Sequence, residues 1–251
     1  MALRLGWFST GRDRAAVDLF EIIHRAIADG TIDAEMAFCF VNRDNGEAPE
    51  SDEFIATALG RGIPVVTLSS DAFEPARRLE GRRDPATLES WRLDYDRAAM
   101  HALDGHEADL VVLAGYMLIA GPEMCARYTM INLHPALPNG PTGSWQQVIN
   151  KLLETKAERT GAMIHLVTPE LDHGSVIAYF TIPVRGGFDQ IRHDGAVREL
   201  PLLLLTIKGF ADGKLKVSGR KILADGQELP TGYDLTDQVE AWLAERGGLD
   251  D

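Results

Sequence analysis

Only two cysteines, Cys39 and Cys125, occur in the 251 residues. They are too few for a disulfide framework and show no metal-ligand spacing, so both are expected to be small buried hydrophobes. Basic residues are also scarce: 25 Lys plus Arg stand against 38 Asp plus Glu, a formal charge of -13. So acidic a chain is a poor general binder of DNA or RNA and leaves room only for a local basic pocket. No apolar run is long enough to span a bilayer, and no positive segment at the N-terminus leads into a hydrophobic one. These absences set the expectation of a cytoplasmic protein with neither nucleic acid nor membrane as partner.

What is present is ordinary globular material, 45% hydrophobic with 24 Gly and 12 Pro. The length suits one large domain with a modest appendage. A catalytic domain over 1–212 is expected, with an insert at about 69–90. A C-terminal hairpin and helix over 213–251 are expected to be appended to the same domain.

The chain alternates short apolar runs with helical patterns. Leu3 to Phe8 predicts a first strand, and Val17, Leu19, Phe20, Ile23 and Ile27 mark a helix behind it. Met36 to Val41, Ile63 to Val66, Ala108 to Ala114 and Met130 to Leu133 predict further strands. Repeated βα units of this size predict an α/β fold: a Rossmann-like, open, twisted, mostly parallel sheet with helices on both faces. Thr160 to Val167 and Val176 to Val184 predict an antiparallel extension of that sheet. The segment 69–90, with Arg77, Arg78, Arg82 and Arg83 among acidic residues, predicts a solvated helix and loop.

Three stretches carry chemistry. Between the first strand and its helix lies Ser9-Thr10-Gly11-Arg12-Asp13. It is either an anion site at a helix N-terminus or a tight turn with an Asp cap. Tyr116 and Met117, after the strand at 108–114, either line a pocket for a flat ring or pack the core. The stretch 129–145 starts as a buried strand and breaks into a Pro/Gly loop, with Asn132 and His134 at the break. Their i, i+2 spacing puts an amide and an imidazole on one face of a strand end, where open α/β sheets build sites. Ser144 is a plausible N-cap for the helix that follows.

Some of these pieces match a known family. Ala114-Gly115-Tyr116-Met117, Ile131-Asn132-Leu133-His134-Pro135 and Gly143 are followed by Gly161, His165-Leu166-Val167, Glu170-Leu171-Asp172-His173-Gly174 and Ile182-Pro183-Val184. In these the chain resembles the glycinamide ribonucleotide formyltransferases of purine synthesis, within the wider folate-dependent formyltransferases. The resemblance implies Asn132, His134 and Asp172 as a catalytic triad. It implies a phosphate site at Thr10, Gly11, Arg12 and Asp13. It implies a folate pocket at Met117, Leu118, Ala120, Thr168 and Glu170, much of it built by backbone groups. The implied cosubstrate is 10-formyltetrahydrofolate, with no metal. The implied partner is a small phosphorylated amine, and the protein is expected to be a monomer or homodimer.

The chain departs from the family's pattern at the first loop, where the family has Gly-x-Gly-Ser-Asn. It departs at Leu118, where Arg is usual, in the loop after His134, and in the helix 190–210, which lacks a Glu-His pair. Three of these four departures concern the acceptor end. Formyl transfer to an amine needs an oxyanion donor and a proton route. Asn132 supplies an N–H, His134 a proton, and Asp172 is expected either to hold His134 charged and oriented, by raising its pKa, or to accept through a water. His165 is expected to be structural, on a sheet face, and His173 to line the entrance.

Three rivals keep the same fold: a formyltransferase for another small amine or sugar nucleotide, a formyltetrahydrofolate hydrolase, and a nucleotide- or folate-binding protein with a silent site. A methionyl-tRNA formyltransferase is disfavoured by the acidic charge and by the lack of room for an RNA-binding domain.

Overall fold

The computed structural model describes residues 1–246, which form two compact units. The first comprises 1–21, 34–130 and 167–169. Its strands β1 (Leu3–Ser9), β2 (Ala34–Val41), β3 (Val65–Thr67) and β4 (Leu110–Leu113) lie in the order β4-β1-β2-β3. All three pairings are parallel. The connections carry α1 (Arg14–Ala28), which starts in this unit, α2 (Pro49–Gly60), α3 (Pro75–Gly81) and α4 (Pro85–Ala102), with α5 (Pro122–Arg127) after β4. Proline opens α2, α3, α4 and α5, where its missing N–H costs no helical bond.

The core of this unit is aromatic. Phe8, Phe38, Phe40, Trp91, Tyr95, Tyr116 and Tyr128 are buried together. Gly6 makes room for it, because a Cβ there would stand 2.7 Å from Phe38 Cζ. The segment at 69–90 holds α3 and the start of α4, and Trp91 closes it by donating to the Phe73 carbonyl at 2.9 Å.

The second unit comprises 22–33, 131–166 and 170 onward. Here β5 (Met130–His134), β6 (Arg159–Leu166) and β7 (Val176–Pro183) pair antiparallel, and the short β11 (Tyr233–Asp234) runs parallel to β7. The predicted antiparallel extension is therefore present, and it takes in β5 as well. Helix α6 (Trp145–Thr155) and the long α7 (Phe188–Ala211, with Pro201 inside) pack together, and α7 also covers β6 and β7.

The expected C-terminal hairpin is β8 (Leu215–Ser218) with β9 (Lys221–Ala224), joined by a two-residue β10 (Gln227–Glu228). Helix α8 (Thr236–Glu245) follows and packs on α7 and β7. The expected appendage runs to 251, and its last five residues lie outside the described ones. No described helix is long and apolar enough to cross a membrane. Cys39 is buried as expected, and Cys125 only partly so.

Candidate active site

Alternation along β5 delivers the expected pair. Asn132 and His134 share a face at the strand's end, and His134 is only 3% exposed. Antiparallel register then sets His165 of β6 opposite Asn132. Asn132 Nδ2 donates to His165 Nε2 at 3.1 Å, and His165 Nδ1 donates to the Leu166 carbonyl at 3.0 Å. The carbonyl assigns the proton to Nδ1, which leaves Nε2 as the acceptor that points the amide of Asn132. The second hydrogen of that amide has no partner among the described residues.

Asp172 arrives from the turn between β6 and β7. Its φ of 57° is left-handed, a conformation that Asp tolerates better than most residues. Its side chain is 5% exposed, with Oδ2 3.5 Å from His134 Nδ1 and Oδ1 3.6 Å from His165 Nε2. Gly143 N donates to Oδ2 at 3.2 Å. The Asp-x-Gly pattern has a steric basis as well. A Cβ on Gly174 would lie 1.6 Å from the Leu166 oxygen, the same oxygen that fixes the His165 tautomer.

His134 is held from both sides. Nε2 donates to the Pro141 carbonyl at 2.9 Å, while Nδ1 faces the carboxylate of Asp172. Asp172 does raise the His134 pKa, as expected, but it does not hold the ring charged: burial lowers the pKa and outweighs the raising effects of Asp172 and of the Pro141 carbonyl. Burial alone would raise the Asp172 carboxyl. His165, the charge of His134 and the Gly143 N–H together overcome that and leave it below its ordinary value. The resting site therefore holds an ionised Asp172 beside a neutral His134. Both ring nitrogens of His134 face acceptors, so a second proton has a place to bind.

His165 was expected to be structural, on a sheet face. It is buried at 2% exposure, yet it touches both Asn132 and Asp172. Its signal was the Gly161…His165…Asp172 spacing, read as part of a motif but not as a role. His173 is exposed in the turn. Among the described residues, no group of three or more His, Cys, Asp or Glu is arranged to hold a metal ion.

The remaining expected site residues lie mostly in the first unit. The Thr10 hydroxyl and the Gly11 amide already have partners within the protein. Thr10 Oγ1 donates to Asn42 Oδ1 at 2.7 Å and accepts from Met117 N at 3.0 Å, and Gly11 N donates to Ser9 Oγ at 3.1 Å. Asp13 caps α1 by accepting from Ala16 N at 3.3 Å, so the cap expected as one alternative is present. Arg14 is paired with Asp18 and Glu53, whereas Arg12 has no ion-pair partner among the described residues.

After β4, Met117 is 46% exposed while Tyr116 is buried in the core, which separates two residues that sequence could not. Leu118 packs against that core and the Ala120 side chain lies within it, so Ala120 can offer a ligand only backbone. Thr168 is half-buried, and Glu170 is exposed in the turn that carries Asp172.

Residues 16–191 match the formyl transferase family. The phosphoribosylglycinamide formyltransferase of Escherichia coli (strain K12) is 37% identical over 178 residues, covering 67% of this chain and 83% of that protein. The phosphoribosylglycinamide formyltransferase of Haemophilus influenzae is 28% identical over the same length. Among solved structures, the phosphoribosylglycinamide formyltransferase of Coxiella burnetii superposes with a TM-score of 0.71 at 21% identity, covering 93% of this chain and 99% of that one. A formyltetrahydrofolate deformylase from Pseudomonas syringae reaches 0.66 at 20% identity, covering 89% of this chain and 66% of that one.

Proposed function

Because this chain belongs to the formyl transferase family and is a folate-dependent formyltransferase, we propose that it transfers the formyl group of 10-formyltetrahydrofolate to the amine of glycinamide ribonucleotide. The observation that carries this reading is the gathering of Asn132, His134 and His165 around Asp172, every link at 3.6 Å or less except Asn132, which is tied in through His165.

The amine nitrogen attacks the formyl carbon and gives a tetrahedral oxyanion. The second N–H of Asn132 donates to that oxygen, in a half-buried place where such a bond counts for more than in water. Neutral His134 takes the proton released by the attacking amine, and the resulting imidazolium is stabilised by Asp172. It then delivers that proton to N10 of the folate as the C–N10 bond breaks. The products are the formamide and tetrahydrofolate, and no proton is gained or lost overall. For His134 Nε2 to act as the base, the ring leaves the Pro141 carbonyl and carries its one proton on Nδ1, facing Asp172 Oδ2.

Arg12 and the backbone of the first turn of α1 hold the acceptor's phosphate in this scheme. The donor binds along Met117 to Ala120 and Thr168 to Glu170, largely through backbone groups. Support for these assignments comes from the family pattern, the unpaired charge of Arg12 and the exposure of Met117.

The fold is shared with a formyltetrahydrofolate deformylase, so the acceptor is what an assay has to test. Formyl transfer from 10-formyltetrahydrofolate to glycinamide ribonucleotide is measured beside a control without any amine. We expect formamide product and amine-dependent release of tetrahydrofolate. Equal release in the amine-free control would make the protein a hydrolase. Turnover only with a different amine would keep the chemistry and replace the acceptor.

A further inference from the structure

Asn42 lies just beyond β2 and is 3% exposed, a polar side chain in the first unit that the scheme above leaves unused. Its oxygen accepts from Thr10 Oγ1 at 2.7 Å and its Nδ2 donates to Ser70 Oγ at 3.2 Å. Thr10 Oγ1 accepts in turn from the backbone N–H of Met117 at 3.0 Å. At the other end, Ser70 Oγ also accepts from Arg78 Nη1 at 3.3 Å. Arg78 belongs to the arginine-bearing segment at 69–90, pairs with Asp71 and lies over the Trp91 ring at 5.0 Å.

Counting donors and acceptors fixes the direction of every bond. The Thr10 hydroxyl has one hydrogen. Met117 N donates to its oxygen, so that hydrogen goes to Asn42 Oδ1. This sets the flip of the Asn42 amide, whose Nδ2 then meets Ser70. Thr10 and Ser70 are 3% and 4% exposed, so water has little access to replace these partners. Met117 is itself 46% exposed, and its backbone amide is anchored on this buried chain of bonds.

We propose that Asn42 is a positioning residue for the formyl-donor wall. Through Thr10 it fixes the backbone at Met117, and the 69–90 segment braces it through Ser70 and Arg78. The role rests on the reading of Met117 to Ala120 as donor-binding. It also gives the segment at 69–90 a task, since its Arg78 holds the end of the chain of bonds opposite Met117.

The test uses the full chain with two readouts, amide hydrogen exchange at Met117 and the dissociation constant for tetrahydrofolate. Asn42→Leu keeps similar bulk and removes the acceptor. We expect faster exchange at Met117 and a dissociation constant about tenfold weaker, the scale of one buried hydrogen bond, with kcat changed less than about threefold. Thr10→Val should likewise speed exchange at Met117 and weaken tetrahydrofolate, and in these two readouts the double variant should be no worse than Thr10→Val alone, because Asn42 acts through Thr10. Asn42→Asp keeps an acceptor for Thr10 and takes a hydrogen bond from the Ser70 hydroxyl, so it should restore most of the affinity. Unchanged exchange in Asn42→Leu overturns the relay. Faster exchange with unchanged tetrahydrofolate affinity overturns the donor-wall reading of Met117, and with it the role of Asn42. Losses that simply multiply in the double variant show two independent packing defects and likewise overturn the proposal.

Discussion

His134 Nδ1 lies 3.5 Å from Asp172 Oδ2, yet the imidazole is held below its ordinary pKa. Burial outweighs the adjacent carboxylate, and that order of magnitudes decides how the site starts its cycle. A neutral His134 beside an ionised Asp172 is ready to accept a proton and has a counter-ion waiting for it.

The first prediction concerns pH. With His134 lowered, its neutral form dominates at neutrality and is lost only as pH falls below the ordinary imidazole value of 6.5. The acid limb of kcat/KM should therefore lie below 6.5, with no loss of activity between there and neutrality. Asp172→Asn removes an influence that raises the His134 pKa, so the limb should move further toward acid. Turnover should fall at least ~100-fold in Asp172→Asn and in His134→Ala, the usual size of general acid–base effects. A limb that moves upward in Asp172→Asn would contradict the assignment.

The second prediction separates His165 from a packing role. His165→Phe keeps a ring of similar size and removes both nitrogens. The Asn132 amide then loses the acceptor that orients it, 3.1 Å away. We expect kcat to fall about tenfold or more, by the loss of a buried hydrogen bond to an oxyanion donor, with a smaller change in folate KM. Steady-state kinetics with both substrates saturating measure this, and wild-type kcat would return His165 to the core.

The difference between Asn132 and His165 also shows what the sequence could and could not convey. Asn132 and His134 were legible because a two-residue spacing at a strand end fixes a shared face whatever surrounds it. Asp172 was legible through Asp-x-Gly, a pattern that the close approach of Gly174 to Leu166 makes obligatory. His165 depends on which residue of β6 stands opposite Asn132, and β6 has a register shift between Ile164 and His165 against β7 that no local pattern marks. Thr10 shows a related limit, because the partners of its hydroxyl, Asn42 and Met117, are 32 and 107 residues away in sequence. Burial was the other hidden quantity, since the sign of the His134 shift follows from enclosure and not from its neighbours in the chain.

The third prediction tests the helix that supports Asp172. Ser144 and Gln147 form a capping box at the start of α6, and the Gln147 side chain takes the Ser144 N–H at 2.8 Å. Gly143, just before it, has a φ of 102° and donates to Asp172. A Cβ there would stand 2.5 Å from Gln147 Oε1. Gly143→Ala should therefore cost about 1–3 kcal/mol of stability, from the strained φ and the disturbed cap. It should also raise the Asp172 pKa, because the Gly143 N–H is one of the groups that hold it down. Adding Gln147→Ala relieves the clash but not the φ, so denaturant unfolding of the double variant should recover only part of the loss.

The fourth prediction concerns the acceptor's charged end, where two adjacent residues should act with opposite sign. Arg12 has no ion-pair partner among the described residues, whereas Asp13 places a carboxylate on the first turn of α1 to cap Ala16 N. A helix N-terminus favours an anion, and a phosphate arriving there meets one negative charge already in place. Arg12→Ala should raise KM for a phosphorylated acceptor several-fold, on the order of one charge-assisted hydrogen bond. Asp13→Asn keeps a capping oxygen and removes the repulsion, so it should lower that KM while leaving stability nearly unchanged. Both effects should shrink as salt is raised, because the groups are only partly buried. The same pair assayed with an unphosphorylated amine should show neither shift. If Asp13→Asn instead weakens the phosphorylated acceptor, the carboxylate is a ligand for some other group on it, and the phosphate does not sit at this turn.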